Sequence, residues 1–114
     1  MYVLDCDQGV KIGITIDITG RVRDLERSSG QPINVWRTFP MRSANEARVI
    51  EAWAHHELAG SRTIGEWFHS HPIEAADTIE RLIKWAPPYP PLTELTRERI
   101  DAIRAARQRV LEMA

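Results

Sequence analysis

The chain has 114 residues, of which 43% are hydrophobic and 27% are charged, with a formal net charge of -1. This length fits one domain of ordinary size, and the mixed composition excludes wholesale disorder. No apolar run approaches the ~18 residues that a membrane-spanning helix needs, so we expect no membrane association. With no secretory signal pattern at its start and Cys6 as its one cysteine, the sequence favours a cytoplasmic protein without disulfides.

The first 40 residues predict two strands, a helix and a third strand. Strand-like runs at 2–4 and 10–15 flank the turn-forming segment 5–9, which indicates an antiparallel hairpin. Ile18, Val22 and Leu25 then recur at helical spacing. Residues 33–39 alternate with the period of a strand and are bounded by Pro32 and Pro40.

The rest of the chain predicts helices. Ser43 and Glu46 form a capping box at the start of a helix that continues to about Leu58, and another helix begins near Pro72. The buried stripe expected for that later helix consists of Ala76, Ile79, Ile83 and Ala86. We therefore predict an α/β (α+β) domain at 1–86, a three-stranded antiparallel sheet flanked by helices. A proline-rich linker at 87–92 and a C-terminal helix at 93–114 follow it.

Two charged residues lie where the helical periodicity expects apolar ones. Glu51 falls on the apolar face of the helix from Ser43, and Arg21 borders the stripe of the earlier helix. A carboxylate directed at a core costs several kcal/mol, by order of magnitude, unless it is paired or holds a cation. The two residues form either a partly buried ion pair or part of a metal and phosphate site, and the sequence leaves both readings open.

Short motifs follow one another in a definite order along the chain. They are Tyr2-Val3-Leu4, Lys11-Ile12-Gly13-Ile14-Thr15, Arg21, Glu51-x-x-x-His55 and Gly65-Glu66-Trp67-Phe68. Their order and spacing resemble those of the GIY-YIG nuclease superfamily, specifically a phage-associated branch whose second motif reads Lys-Ile-Gly. The resemblance covers about residues 2–85.

The resemblance implies a metal-dependent endonuclease that acts on DNA. Glu51 would hold Mg²⁺ or Mn²⁺ on the scissile phosphate, and Arg21 would stabilise the developing negative charge. Tyr2 would position or deprotonate the attacking water, and Gly13 would allow close backbone approach to the site. His55, one turn after Glu51, is either a proton carrier beside the site or an ordinary exposed helical histidine.

Lys11 departs from the superfamily pattern, which has a tyrosine at this position. A protonated lysine beside a phosphate suits anion binding better than proton abstraction. The sequence therefore leaves open a non-catalytic DNA-binding or protein-interaction module on a nuclease fold.

A second metal motif competes with this interpretation. His69-Ser70-His71-Pro72 resembles the core of the JAMM zinc isopeptidases. That family's pattern continues to a serine and an aspartate, and the corresponding positions here hold Glu80 and Ile83. With the third zinc ligand missing, zinc hydrolysis is the least favoured of the readings.

The C-terminal helix carries both charge and an apolar side. Five arginines between Arg97 and Arg109 stand against Glu98 and Asp101, so Arg97 and Arg104 are candidates for contacts with a DNA backbone, although a solvated helix face is the favoured interpretation. Its apolar residues are Leu95, Ile103, Ala106, Val110 and Met113. They would pack on the domain or on a second subunit, which allows a homodimer, and a protein partner could supply cleavage specificity.

Overall fold

The computed structural model describes residues 1–63, 67–92 and 94–113. It contains four strands and four α-helices within those ranges, and the α+β class predicted from the sequence is confirmed. The elements are β1 (Tyr2–Cys6), β2 (Gly9–Gly13), α1 (Ile18–Ser29), β3 (Asn34–Thr38), α2 (Ala44–Glu57), a short 3₁₀ turn (Ala59–Ser61), β4 (Trp67–Phe68), α3 (Pro72–Trp85) and α4 (Glu94–Met113).

The four strands form one antiparallel sheet in the order β3-β1-β2-β4. The sheet has one strand more than the sequence predicts, because β4 is only two residues long and shows no periodicity. Phe68 anchors β4 by burying its ring completely. Gly9 lets β4 approach, since it has a positive φ and a Cβ there would overlap the Phe68 carbonyl oxygen.

The alternation of side chains along β1 and β2 divides the core into two layers. Tyr2 and Leu4 point to one face, where Ile33 and the stripe of α1 pack against them. Val3, Val10 and Ile12 point to the other face and meet α2 and α3. The sheet therefore lies between α1 on one side and the α2–α3 pair on the other.

The helices begin where the sequence predicts, but α3 is rotated. Ser43 caps α2 by accepting a hydrogen bond from the Glu46 amide at 3.1 Å. In α3 the buried side is centred on Ala75, Ile79 and Leu82, so the prediction that Ile83 is buried is wrong: it is 42% exposed. Leu82 and Ile83 are equally apolar, and only packing against the sheet decides which one faces the core.

Strand β3 departs from the period-two expectation. All five of its side chains are exposed, because β3 is an edge strand outside both core layers. Its pairing with β1 also shifts register between Val3 and Leu4, whose partners are Arg37 and Val35, so Trp36 is the extra residue of a bulge. The side chains on both faces of β3 are therefore exposed to solvent.

The C-terminal part leaves the domain along a proline-rich segment. Trp53 of α2 donates its indole N–H to the Tyr89 carbonyl at 2.9 Å, which places this segment against α2. On α4 the apolar residues Ile103, Val110 and Met113 remain exposed to solvent. This apolar side of α4 is expected to pack either on the domain or on a second subunit. Packing on the domain is not observed among the described residues. None of the described helices is long and apolar enough to cross a membrane.

Candidate functional site

The start of β1 and the end of β2 bring three of the predicted site residues together. Tyr2 and Gly13 are paired across the two strands, and the Tyr2 ring is buried on the α1 side of the sheet. Arg21, in the first turns of α1, donates from Nε to the Tyr2 hydroxyl oxygen at 3.3 Å. Gly13 leaves the space that the phenol occupies, since a Cβ there would overlap the phenol oxygen. These contacts fix the Tyr2 hydroxyl between a strand end and a guanidinium.

Glu51 approaches the same end of the sheet from α2. Its neighbours Ile50 and Ala54 are buried, so the helix holds the half-buried carboxylate toward the domain, as the periodicity predicts. The charge of Glu51 acts on the amino group of Met1, which donates to the Phe39 carbonyl at 3.1 Å. Burial lowers the pKa of that amino group, and the Glu51 carboxylate opposes this by raising it. The Glu51 carboxylate thus acts electrostatically on the residue that precedes Tyr2.

His55 is held by the sheet. Its Nε2 lies 2.9 Å from the Ile12 carbonyl oxygen and must donate to it, because a carbonyl can only accept. Its ring also packs on Phe68, with 5.2 Å between the ring centroids. The proton on Nε2 is therefore committed to the backbone, and His55 ties α2 to β2 and β4. A proton-carrying role would have to use Nδ1.

Lys11 is buried, with 5% of its surface exposed. It lies on the same face of the sheet as Tyr2 and Gly13, two residues before Gly13 on β2. Its Nζ is 5.6 Å from the centroid of the Trp67 ring, a cation–π distance. The Trp67 contact is one of the interactions of this core-facing lysine, a feature for which the sequence gives no signal.

The remaining predicted residues lie elsewhere. Arg97 and Arg104 are exposed on α4, far along the chain from the strand ends. Gly65 and Glu66, half of the Gly-Glu-Trp-Phe motif, fall outside the described residues. The structure therefore gathers Tyr2, Gly13 and Arg21 on the α1 side, with Glu51 reaching the same end of the sheet from the α2 side.

Glu51 is a residue at this end of the sheet that could hold a metal ion. Across residues 1–63, 67–92 and 94–113 there is no group of three or more histidine, cysteine or acidic residues that could enclose an ion. Mg²⁺ commonly takes one or two carboxylates and completes its shell with water and substrate phosphate. Glu51 fits this role through a partly buried carboxylate that its helix holds in place.

The two histidines of the competing zinc motif have other positions. His71 is the N-cap of α3, and its Nδ1 accepts the Ile73 amide at 3.1 Å. His69 is exposed on the preceding turn. A zinc ion needs converging ligands, and the described residues contain no group of three or more histidine, cysteine or acidic side chains that could hold one. The arrangement gives the zinc reading no support.

Sequence reasoning missed Asp17 and Thr15 as positioning residues. Asp17 caps α1 by accepting the Gly20 amide at 3.1 Å, and Thr15 accepts the Asp17 amide through its hydroxyl at 3.1 Å. Both hold the turn that leads from Gly13 to Arg21. An aspartate immediately before a helical stripe is an N-cap signal that could have identified the first of them.

The chain folds as a small α+β domain with a candidate site at one end of its sheet, and a comparison with known families identifies this domain. The model of the T5orf172 domain family matches residues 1–86, well over half of the chain. The chain therefore belongs to the T5orf172 domain family, a phage-associated family of nuclease-like domains. No curated protein and no solved structure matches the chain.

Proposed function

We propose that the protein is a GIY-YIG-type DNA endonuclease that hydrolyses phosphodiester bonds with a divalent metal ion. The observation that carries the proposal is the hydrogen bond from Arg21 to the Tyr2 hydroxyl against Gly13, at the end of the sheet that Glu51 also approaches. A guanidinium, a phenol and a partly buried carboxylate supply charge stabilisation, water positioning and metal binding.

Each residue has a distinct part in the proposed reaction. Water adds to phosphorus as the P–O bond to the leaving oxygen breaks, and negative charge grows on the phosphoryl oxygens. Arg21 stabilises that charge as a permanent cation. Tyr2 accepts a hydrogen bond from Arg21, so its own O–H proton is directed away from the guanidinium toward water or phosphate. Glu51 would hold Mg²⁺ or Mn²⁺, which acts as a Lewis acid when bound.

A second candidate function is a domain that binds DNA without cutting it. Its support is Lys11, which stands where the superfamily has a tyrosine and whose ammonium contacts the Trp67 ring. Removing one of two tyrosines removes one means of activating water. The same fold and the same Arg21 would then serve phosphate binding alone.

The experiment measures nicking of supercoiled plasmid with Mg²⁺ or Mn²⁺, alongside DNA binding on the same samples. Glu51→Gln is compared with Glu57→Gln on α2, and Arg21→Ala is compared with Arg23→Ala on α1. Arg23 is exposed, and Glu57 is exposed and paired with Arg81 of α3, so each control repeats the charge change outside the site. We expect the two site variants to lose nicking by about a hundredfold or more, as when a transition-state donor is removed.

The outcomes separate the two candidate functions. Nicking by the parent and the controls but not by the site variants supports the endonuclease and its site. Binding by a parent that does not nick overturns the endonuclease in favour of the DNA-binding module. A folded parent that neither binds nor nicks DNA contradicts both.

A further inference from the structure

The turn between β2 and α1 carries a large apolar side chain in open solvent. Ile16 has a relative exposure of 108%, more than any other large hydrophobic residue that the structure describes. Isolated surface hydrophobic residues are common, so exposure alone indicates nothing. The position of Ile16 and the rigidity of its turn give it significance.

The turn is fixed at both of its ends. The Thr15 hydroxyl oxygen accepts the Asp17 amide at 3.1 Å and also lies 3.3 Å from the Asp17 carbonyl oxygen. Asp17 in turn caps α1 through the Gly20 amide, and Gly20 has no side chain to obstruct that carboxylate. Ile16 is therefore held outward by its neighbours, and ordering the turn on binding costs little entropy.

The turn adjoins the candidate site. It connects Gly13 at the end of β2 with Arg21 in α1, and Ile16 lines a depression of about 300 Å³ together with Tyr2. A second depression, about 550 Å³, is lined by Ile16 with Phe39, Pro40, Met41 and other residues. This rim is largely apolar, whereas phosphates are met by charged and polar groups.

We propose that Ile16 is a wedge that enters a base step of duplex DNA beside the phosphate held at Tyr2 and Arg21. Apolar side chains such as isoleucine are known to insert between base pairs, where they unstack and kink the duplex. A wedge here would bend the DNA backbone into the depression that Tyr2 lines. The Arg21 guanidinium would then bind the phosphate. The inference rests on the proposed function and adds to it the residue that contacts the bases.

The test uses the full chain and a duplex that the parent nicks, with 2-aminopurine placed in turn at each position near the nick. Binding is measured in Ca²⁺ to limit cutting, and nicking is measured separately in Mg²⁺. Ile16→Ala is compared with Ile16→Met, which keeps a long apolar side chain, and with Ile73→Ala. Ile73 is a matched control because it is also exposed, at 53%, but lies on α3.

For the parent we expect the fluorescence of 2-aminopurine to rise several-fold at one step next to the nick, because this base fluoresces more strongly when it is unstacked. Ile16→Ala should lose most of that rise and nick roughly tenfold more slowly, since the contact that offsets unstacking is gone. Ile16→Met and Ile73→Ala should behave like the parent. The melting temperature of Ile16→Ala should not change, because the side chain contributes no burial.

The outcomes distinguish this inference from the proposed function. A parent that nicks DNA with no fluorescence rise at any step, or an Ile16→Ala variant that matches the parent, overturns the wedge while the endonuclease stands. A parent that neither binds nor nicks DNA overturns both. Loss of the fluorescence rise in Ile16→Ala with its return in Ile16→Met supports the wedge.

Discussion

At the scale of single residues, the absence of a side chain at Gly13 determines where the Tyr2 phenol lies. The two residues are paired across β1 and β2, and the phenol leans over Gly13 to meet Arg21. An alanine methyl at this position would overlap the phenol oxygen and its ring carbon. Because the Tyr2 ring is 2% exposed, it has no room to move away without disturbing its layer of the core.

Gly13→Ala is therefore expected to damage both stability and the site. Overpacking of this kind costs about 1–3 kcal/mol of unfolding free energy, which urea denaturation measures. Nicking should fall further than the loss of stability accounts for at a temperature where the variant is folded, because Tyr2 is displaced from Arg21. The control is Gly60→Ala, since a Cβ at Gly60 has nothing within 4 Å. Equal stability of the two variants would show that the phenol adapts and that Gly13 does not position it.

The sequence predicts the residues of the site unequally. Helical periodicity alone predicts that Arg21 and Glu51 face the domain, because the position of a residue along a helix fixes the side of the helix on which it lies. Tyr2 can be singled out only through the motif, since a tyrosine in a short strand is also an ordinary core residue. The burial of Lys11 under Trp67 depends on β4 pairing with β2, and a two-residue strand gives no pattern from which to predict it.

At the scale of elements, the start of α3 depends on an unusual cap. His71 accepts the Ile73 amide through Nδ1, the role that serine, aspartate and asparagine usually have. Pro72 follows as the first helical residue. Because proline has no backbone N–H, this helix start has one donor fewer that needs a partner. The cap therefore provides the partner for the next amide along the helix.

His71→Ala is expected to lower the unfolding free energy by about 0.5–2 kcal/mol, the usual loss of an N-cap. His71→Asp should retain most of the stability, because a carboxylate caps the same amide and favours the helix dipole. His69→Ala is the control, since His69 is exposed and the hydrogen bond from its backbone N–H to the Ser61 carbonyl does not involve the side chain. Thermal denaturation with and without Zn²⁺ checks this. A zinc-dependent rise in melting temperature that His71→Ala removes would restore the metal reading of these histidines.

The elements that sequence predicts well are those with local signals of their own. The stripe that begins at Ile18 and the capping box at Ser43 mark two helix starts, and α1 and α2 begin where they indicate. The rotation of α3 and the bulge of β3 come from tertiary packing instead. Leu82 and Ile83 are both apolar, and tertiary packing decides that Leu82 is the buried one. The bulge at Trp36 is defined only by the pairing of β3 with β1.

At the scale of the whole molecule, α4 presents different chemistry on different sides. Arg97 and Arg104 are seven residues apart, just under two helical turns, and so lie on one side of the helix. Ile103 and Val110 follow the same spacing along an apolar stripe that is exposed. Pairing of two copies through this stripe stays a prediction. Because the stripe and the arginine pair are distinct, DNA binding and self-association through α4 can be altered separately.

The contribution of Arg97 and Arg104 to DNA binding is best measured as a salt dependence. Removing one arginine that binds a phosphate should reduce the slope of log K against log salt by roughly 0.9 for duplex DNA, so the double variant Arg97→Ala/Arg104→Ala should reduce it by about 1.8. Arg99→Ala/Arg109→Ala removes the same charge from the other side of α4 and should change the slope less. The mass in solution, measured by light scattering, should be the same in the Arg97→Ala/Arg104→Ala variant as in the parent, since these two arginines lie off the apolar stripe. Equal slopes in the two double variants would mean that α4 contributes only its net charge, and that these two arginines do not contact the backbone.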